Sequence, residues 1–339
     1  MILAIDAGGT STRAAVVDAS GLCLGYGSSG GGNPKSAGYD RAIAAVTAAA
    51  ESAVASLQQP FVLSSALIAM AGASRTMPRT ALTERLAALG LRGEVDIEAD
   101  LLAMFHSGTD RTSGCVLVAG TGCVAARISD SRLELVSDGT GWLLGDAGSG
   151  YWIGHMAARA VVAELDGRGP ETDLTGLMLK ALHLSASPER IHGRPRVLLD
   201  VIDALYRLRP IELARFAPLV FEAGLDPVAA EIVTSAASAM ADTLRAVRGQ
   251  QGEGPVVVGG SVAAAVLGAP PALGAPLRNA LENAEVIRAH DGLIGAAVLG
   301  LRRAGVRIDE AVFRRLQESV GNWRTPAAHA HNGNPKEEG

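Results

Sequence analysis

The chain is poor in cysteine, aromatic residues and charge. Of its 339 residues only 3 are cysteines, 4% are aromatic and 19% are charged, and the net charge is −5. This composition argues against a nucleic-acid binder, which would carry a basic stripe with interleaved aromatic side chains. Three cysteines make no disulfide framework and fit a reducing cytoplasm. Because 48% of the residues are hydrophobic, intrinsic disorder is excluded.

Long apolar segments and targeting signals are also lacking. The first residues, Met1–Asp6, carry no basic region of a signal peptide. The one long uncharged run, Gly254–Leu277, is interrupted by glycine and proline, which indicates a strand, a turn and a short helix rather than a membrane span. We therefore expect a cytoplasmic protein that binds neither membranes nor nucleic acids.

Two stretches of the chain repeat one pattern of strand, glycine–threonine turn, strand and polar turn. Apolar runs between turn residues predict three short strands in each stretch. The first set is 2–6, 14–18 and 22–26, and the second is 115–119, 124–128 and 133–136. Because both sets share the glycine turn, we interpret them as an internal structural duplication.

The rest of the chain mixes helix and strand patterns, which predicts an α/β fold. Helical spacing of apolar residues predicts helices over 37–57, 79–89, 100–106, 291–301 and 309–320, and over nearly all of 148–249. Short apolar runs predict further strands at 66–70, 94–98, 255–258 and 285–288. From residue 322 the chain is polar, and we expect a flexible tail over 322–339.

Glycine-rich turns after three of the predicted strands carry the first chemical signal. They are Asp6-Ala7-Gly8-Gly9-Thr10, Gly120-Thr121-Gly122 and Gly259-Gly260-Ser261. Backbone N–H groups in such turns bind phosphate, and a carboxylate beside phosphate attracts Mg²⁺, often through water. A single turn of this kind is equally consistent with an ordinary hairpin, but two related turns are able to hold a polyphosphate between two lobes. The turns match neither the Walker nor the Rossmann pattern.

These turns, together with Gly145-Asp146-x-Gly-Ser149 and Asp291-Gly292, resemble the motifs of the sugar kinase, Hsp70 and actin superfamily. Within it, the chain is similar to the BadF/BadG/BcrA/BcrD-type ATPases and to the branch of N-acetylglucosamine and glucosamine kinases. The stretch Gly141–Gly154 is close to the hexosamine kinase signature and is the most specific feature. The resemblance covers residues 2 to about 304, and the Ala-, Gly- and Arg-rich composition resembles actinobacterial glucosamine kinases.

The resemblance implies an α/β fold with two RNase-H-like, actin-like lobes around a cleft that binds nucleotide and sugar. It places residues 1–105 and the helix 309–320 in the first lobe, and residues 106–305, with a helical insertion, in the second. It also implies ATP and Mg²⁺ as cofactors, an amino sugar as substrate and a homodimer.

The resemblance also implies roles for the residues of the three turns. In the first phosphate turn these are Asp6, Gly8, Gly9 and Thr10, with Asp6 reaching Mg²⁺ through water; in the second they are Gly120, Thr121 and Gly122; and Gly259, Gly260 and Ser261 line the adenosine pocket. Arg13 is a candidate for neutralising phosphate, although its position three residues after the turn favours a side chain that points to solvent.

Four further residues match the catalytic and sugar-binding positions of the family. Asp100 matches the catalytic base, which accepts a proton as the sugar hydroxyl attacks phosphorus; its alternative role is an acid at a helix start. Asn33, Asp146 and Gly141 match residues that contact the sugar. The alternatives are a plain turn residue for Asn33 and a helix N-cap for Asp146.

The expected function is phosphorylation of glucosamine at the 6-hydroxyl with ATP. Glucosamine is partly cationic near neutral pH and would gain from Asp100 and Asp146 in a cleft of low dielectric constant. One alternative is an N-acetylglucosamine kinase, in which the loop Gly30–Gly32 would leave room for the acetyl group. Another is a sugar-independent activator-type ATPase of the same fold, which would act on a partner protein.

Overall fold

The computed structural model describes residues 1–34, 38–58, 60–70, 72, 77–249 and 254–324. The chain forms two compact units. The first consists of Met1–Asp110 and the chain from His290 onward, and the second consists of Arg111–Ala289. Each unit is built on its own five-stranded sheet.

Most of the predicted strands and helices are present, with ends that differ by a few residues. The strands are β1 (Ile2–Ala7), β2 (Thr12–Val17), β3 (Cys23–Ser29), β4 (Ser65–Met70), β5 (Val95–Ala99), β6 (Gly114–Ala119), β7 (Cys123–Ser129), β8 (Arg132–Asp138), β9 (Arg190–Ile191), β10 (Arg194–Pro195), β11 (Val256–Gly259) and β12 (Val286–Arg288). The α-helices are α1 (Tyr39–Ala55), α2 (Arg79–Ala87), α3 (Asp100–Gly108), α4 (Gly150–Leu165), α5 (Asp173–Ala181), α6 (Arg196–Tyr206), α7 (Ala217–Glu222), α8 (Pro227–Arg248), α9 (Ser261–Gly268), α10 (Pro271–Ala280), α11 (Gly292–Arg303) and α12 (Glu310–Arg324), and a 3-10 helix spans Pro210–Phe216.

The two sheets have the same topology. Their strand orders are β3-β2-β1-β4-β5 in the first unit and β8-β7-β6-β11-β12 in the second. In each sheet three antiparallel strands are joined to two parallel ones. The internal duplication predicted from the sequence is therefore present. In sheets of this kind ligands bind beyond the carboxyl ends of the parallel strands, so these edges are where a site is expected.

Helix α1 packs on the first sheet through the face that its apolar spacing predicts. Ile43, Val46 and Ala50 on this face are buried. A Cβ at Gly25 of β3 would lie only 2.1 Å from the backbone oxygen of Ala53. Glycine is therefore required where the helix approaches the strand.

Helix α11 belongs to the first unit, whereas the predicted lobe boundary at residue 305 placed it in the second. All residues from Gly292 to Leu301 are buried, and the helix packs against α3, β1 and β4. A Cβ at Gly295 would lie 1.7 Å from the backbone oxygen of Ala103, so the close crossing of α11 and α3 requires glycine. A helix that is apolar on all sides is stable only inside a core, and this one completes the core of the first unit.

In the second unit the long helix α8 covers the sheet. Its buried residues Ile232, Ala236, Met240, Leu244 and Val247 recur at helical spacing and join the core below. The region predicted to be nearly all helical contains α4 to α8, interrupted by the short hairpin of β9 and β10.

Helix α12 packs back on β3 of the first unit and runs to Arg324, so the first three residues of the predicted tail are helical. The N–H group of Cys23 donates to Ser319 Oγ at 3.0 Å, and Trp323 Nε1 donates to the Cys23 oxygen at 3.2 Å. The rest of the predicted tail, residues 325–339, lies outside the described residues. None of the described helices combines the length and the apolar character needed to cross a bilayer.

Candidate functional site

The glycine turn after β1 is held by a second loop of the same unit. The N–H groups of Gly32 and Asn33 donate to the backbone oxygen of Gly8 at 3.0 and 3.1 Å. A Cβ at Gly31 would lie 2.4 Å from the backbone oxygen of Gly9, so the close approach of this loop to the turn requires glycine at position 31. The arrangement places Asn33 directly beside the predicted phosphate turn.

Gly9 and Thr10 form the open side of this turn. Both are exposed, and a Cβ built at Gly9 would meet nothing within 4 Å. The turn is therefore accessible at the carboxyl edge of the first sheet, where a phosphate group would be expected.

Asp6 and Arg13 are neighbours across β1 and β2, because the register pairs these two residues directly. Arg13 Nη2 donates to Asp6 Oδ2, and Arg13 Nη1 lies 2.8 Å from Asp291 Oδ1. Arg324 at the end of α12 donates to Asp291 Oδ2 at 2.6 Å. The expectation that Arg13 points to solvent is therefore wrong: the register turns it toward Asp6, and two carboxylates hold it there.

Burial raises the pKa of Asp6 to about 6, although the neighbouring Arg13 opposes this shift and Asp291 and Asp100 add to it. The side chain lies against the start of α11, where a Cβ at Gly292 would be 3.0 Å from the carboxyl carbon. Glycine at position 292 therefore makes room for the carboxylate.

Asp100 is the first residue of α3 and follows β5 directly. In the sheet register Ala99 pairs with Met70, which pairs with Ala7, so Asp100 lies at the same edge as the turn after β1. Its Oδ1 accepts the N–H of Leu101 at 2.9 Å. Burial raises the pKa of its carboxyl group, while backbone hydrogen bonds oppose the shift. Asp100 thus occupies the helix-start position and remains half-buried near Asp6.

We tested whether these residues fit a magnesium ion. No group of three or more His, Cys, Asp or Glu side chains within the described ranges is arranged to hold a metal. Mg²⁺ keeps several water ligands and commonly takes one or two carboxylates together with substrate phosphates. Asp6 at the phosphate turn, with one oxygen engaged by Arg13, fits an ion of that kind.

In the second unit the two remaining glycine turns lie side by side. Strands β6 and β11 are parallel neighbours, so the turns that follow them share an edge of the sheet. A Cβ at Gly260, which has φ of +91°, would lie 2.2 Å from the backbone oxygen of Ala119. The first N–H groups of α4, those of Gly150 and Tyr151, donate to the backbone oxygens of Gly120 and Thr121 at 2.7 and 3.2 Å.

The six predicted residues of these turns differ in exposure. Thr121, Gly260 and Ser261 are exposed, Gly120 and Gly122 are half-buried, and Gly259 is buried as the last residue of β11. The exposed residues therefore offer backbone groups and two hydroxyls at the carboxyl edge of the second sheet.

Asp146 is buried and has a left-handed backbone, with φ of +56°. Its Oδ1 accepts the N–H of Cys123 at 3.1 Å, and a Cβ at Gly122 would lie 2.9 Å from the same oxygen. The N-cap of α4 is Ser149, whose side chain accepts the N–H of Trp152, so the alternative of Asp146 as helix cap is wrong. The carboxylate instead turns toward the glycine turn after β6.

Gly141 begins the loop that leads to Asp146. Its φ is +89°, and its backbone oxygen accepts the N–H groups of Leu144 and Gly145 at 3.1 and 2.9 Å. On the outside of this loop Trp142 is 41% exposed and borders a largely apolar groove of about 1180 Å³. Asp146 does not line the groove, although Gly145 and Ala147 do.

The structure groups the predicted site residues by unit. The first unit brings together Asp6, Gly8, Gly9, Thr10, Arg13, Asn33 and Asp100, and the second brings together Gly120, Thr121, Gly122, Gly141, Asp146, Gly259, Gly260 and Ser261.

Three charged residues at these sheet edges were not predicted from the sequence to be site residues. Asp291 and Arg324 complete the ion pairs around Arg13, and the Asp138 carboxylate accepts the N–H groups of Asp146 and Ala147. Asp291-Gly292 was visible only as a motif, and Asp138 only as a turn residue. Arg324 lies in the segment predicted to be a tail, and no local signal marks it.

The repeated five-stranded sheet has the mixed α/β architecture of the actin-like fold. Solved structures share this fold. A Chromobacterium violaceum protein provisionally assigned as an N-acetylglucosamine kinase aligns with a TM-score of 0.67 and 23% identity, over 88% of this chain and 98% of that one. A ROK hexokinase from Thermus thermophilus aligns with a TM-score of 0.52 and 22% identity, over 90% of this chain and 99% of that one.

The family model of the BadF/BadG/BcrA/BcrD ATPases matches residues 3–300, and the chain belongs to this family. An N-acetyl-D-glucosamine kinase of Dictyostelium discoideum is 29% identical over 262 residues, which cover 73% of this chain and 79% of that protein. An N-acetylmuramic acid/N-acetylglucosamine kinase of Clostridium acetobutylicum is 30% identical over 125 residues, which cover 37% of this chain and 41% of that protein.

Proposed function

We propose that the protein is an ATP-dependent amino-sugar kinase that phosphorylates the 6-hydroxyl of glucosamine. The observation that carries this proposal lies in the first unit, where the half-buried carboxylate of Asp100 shares a sheet edge with the turn of Gly8, Gly9 and Thr10, of which Gly9 and Thr10 are exposed. A phosphate turn beside a carboxylate is the pair that phosphoryl transfer to a hydroxyl requires. The kinases named among the relatives support the same reaction class.

In the proposed reaction Asp100 accepts the proton of the sugar hydroxyl as its oxygen bonds to the γ-phosphorus. The bond between the γ-phosphorus and the bridging oxygen breaks, and ADP leaves. Asp100 has no ion-pair partner among the residues that the structure describes, and burial raises the pKa of its carboxyl group. Both features favour a carboxylate that takes up a proton.

Each unit would supply a phosphate-binding turn, the turn after β1 in the first and the turn 120–122 in the second, and Arg13 would add a positive charge beside the first. Nη2 of Arg13 is bound to Asp6 and Nη1 to Asp291, so Arg13 would act on the phosphates through its charge. Asp6 would hold Mg²⁺ through water, and the ion would neutralise charge on the phosphates. Gly259, Gly260 and Ser261 would line the adenosine pocket.

Asn33, Gly141 and Asp146 would contact the sugar. Within the described part of the chain neither Asp100 nor Asp146 forms an ion pair, and burial raises the pKa of both carboxyl groups. An ammonium group on the sugar would relieve this unbalanced charge. This consideration favours glucosamine, whereas the names of the relatives favour N-acetylglucosamine, which we keep as the alternative.

A coupled ADP-release assay with ATP and Mg²⁺ tests the proposal. The sugars to compare are glucosamine, N-acetylglucosamine, N-acetylmannosamine and glucose, with a reaction without sugar as control. Turnover that requires glucosamine supports the proposal, and turnover that requires N-acetylglucosamine selects the alternative. Hydrolysis that is indifferent to every sugar would contradict both and point to an activator-type ATPase.

The cysteines in the described part of the chain are relevant to the alternative of an activator-type ATPase. Cys115 and Cys123 are buried, and burial raises the pKa of both thiols, that of Cys123 to about 12. An activator-type ATPase that delivers electrons through an iron–sulfur cluster would need cysteine ligands at its surface, whereas both of these are packed in the hydrophobic core of the second unit. We also propose a homodimer, which light scattering of the purified protein would test.

A further inference from the structure

We propose that Asp138 is a positioning residue that holds the sugar-binding carboxylate of Asp146 against the glycine turn after β6. The inference rests on the proposed function, because that function assigns the sugar contact to Asp146. Asp138 itself was no candidate in the sequence, where it belongs to the turn that follows the predicted strand 133–136.

The sheet register places Asp138 next to that glycine turn. It is the last residue of β8 and pairs with Val124 at the start of β7. Gly139 then donates its N–H group to the backbone oxygen of Cys123 at 2.9 Å. Asp138 is therefore paired with the neighbour of Cys123, the first residue of β7, whose N–H group donates to the Asp146 carboxylate.

Both carboxylate oxygens of Asp138 are used to hold the Asp146 loop. Oδ1 accepts the N–H of Asp146 at 2.7 Å, and Oδ2 accepts the N–H of Ala147 at 3.0 Å. Hydrogen bonds to an ionised acceptor are about twice as strong as neutral ones. The pair of bonds fixes the peptide planes on both sides of the Asp146 Cα and so fixes the direction of its side chain.

The backbone at both acids needs such support. Asp138 has φ of +63° and Asp146 has φ of +56°, a region that residues other than glycine rarely occupy. Residues persist in this region where surrounding contacts determine the conformation, and such positions cluster at functional sites. Here the contacts run from Asp138 to Asp146 and from Asp146 to Cys123.

Two glycines keep the space that this arrangement needs. A Cβ at Gly145 would lie 2.3 Å from Asp138 Oδ1, and a Cβ at Gly122 would lie 2.9 Å from Asp146 Oδ1. Neither position can carry a larger side chain without moving an acid. Gly145 and Gly122 are thus part of the arrangement that holds the carboxylates of Asp138 and Asp146.

The test compares Asp138→Asn, Asp138→Ala and the control Glu134→Gln. Glu134 lies on the same strand but faces solvent, where it pairs with Arg127 at 3.3 Å. We expect Asp138→Ala to raise the sugar KM about 10- to 100-fold, as loss of hydrogen bonds to a charged group does. Asp138→Asn keeps one acceptor oxygen and should raise it less. The KM for ATP should change less than about twofold in either variant, and Glu134→Gln should match the wild type.

Hydrogen exchange supplies a second readout that does not depend on turnover. The amides of Asp146 and Ala147 should exchange faster in both Asp138 variants, while the amides of α8 keep their protection. Unchanged exchange at these two amides would overturn the proposal, as would a sugar KM and an ATP KM that rise together. If the wild type turns over no sugar, the proposed function fails, and the exchange result alone decides whether Asp138 holds Asp146.

Discussion

Each unit buries one aspartate beside a glycine turn, and the two carboxylates are balanced in different ways. In the first unit Asp6 is bound by the guanidinium of Arg13, which also pairs with Asp291, and Asp291 in turn pairs with Arg324. In the second unit, among the residues that the structure describes, the Asp146 carboxylate accepts one backbone N–H group, and Asp138, which holds the Asp146 loop, accepts two. Each carboxylate also lies against a glycine, Asp6 against Gly292 and Asp146 against Gly122, where a Cβ would press on the carboxylate.

The different partners of Asp6 and Asp146 suit the two carboxylates to different ligands. A carboxylate bound by a guanidinium has its charge balanced within the protein, so it can stand beside anionic phosphates and share a cation with them. A carboxylate held by neutral amides keeps its charge for the ligand, and hydroxyl or ammonium groups are the partners that it attracts. Under the proposed function, Asp6 is therefore suited to the phosphates and their cation, and Asp146 to the sugar.

The largest effect is expected at Asp100, the acid that shares the first unit with Asp6 but forms no ion pair within the described ranges. Asp100→Asn should lower kcat by about 10²- to 10⁴-fold, since a general base contributes this much. The sugar KM should stay near the wild-type value, because the amide keeps the shape of the side chain. Steady-state kinetics with the preferred sugar measure both constants. A variant with wild-type kcat would remove Asp100 from the mechanism.

The two glycines that face the carboxylates give a matched pair. Gly122→Ala would push against Asp146 and should raise the sugar KM about tenfold or more, a larger rise than that of the KM for ATP, which it also affects because Gly122 belongs to the proposed phosphate turn. Gly292→Ala would push against Asp6 and should raise chiefly the KM for ATP·Mg²⁺, by a similar factor. Gly176→Ala is the control, since a Cβ there meets nothing within 4 Å. If either variant raises the sugar KM and the KM for ATP·Mg²⁺ equally, the assignment of Asp146 to the sugar and of Asp6 to the nucleotide is contradicted.

A smaller effect is expected at Arg324, which pairs with Asp291 but does not touch Asp6 as Arg13 does. Its side chain is 49% exposed, so solvent screens the ion pair with Asp291. Arg324→Gln should raise the KM for ATP about two- to fivefold and leave the sugar KM unchanged, with partial recovery in Arg324→Lys. Arg315→Gln on the same helix, which removes a bond to the backbone oxygen of Ser20, is the control. A change confined to the sugar KM would contradict the assignment of this network to the nucleotide.

The smallest effect is on stability and concerns the cost of burying the Asp6 charge. Since the pKa of Asp6 is raised to about 6 in the folded protein, the folded state binds the proton more tightly than the unfolded state. Ionised Asp6 therefore destabilises the fold above pH 6, by on the order of 1–3 kcal/mol, and this cost disappears as the pH falls toward 4. Asp6→Asn, which is neutral at every pH, should be more stable than the wild type at pH 8.

Urea unfolding in a metal-free buffer at pH 8 and at pH 4.5 measures this difference. The stability gain of Asp6→Asn should be largest at pH 8 and should shrink at the lower pH. A gain that does not depend on pH would show that the ionisation of Asp6 is not its source.

Much of the fold could be predicted because local patterns carry it. The repeated strand and glycine-turn pattern predicts the two sheets, and the apolar spacing of Ile43, Val46 and Ala50 predicts the buried face of α1. The place of α11 could not be predicted in this way. Its sequence is apolar on all sides, so it indicates burial without indicating in which unit.

For the candidate sites, the sequence by itself determined which residue types are available: glycines where a phosphate or a carboxylate must come close, and acids at strand ends and helix starts. Only the tertiary structure decided their partners. Arg13 meets Asp6 because of strand register, and Arg324 reaches Asp291 across 33 residues of chain. Asp138 reaches the Asp146 loop because β8 pairs with β7. The physical reason is that ion pairs and hydrogen bonds depend on distances of a few ångströms, which the packing of distant segments sets and local spacing does not.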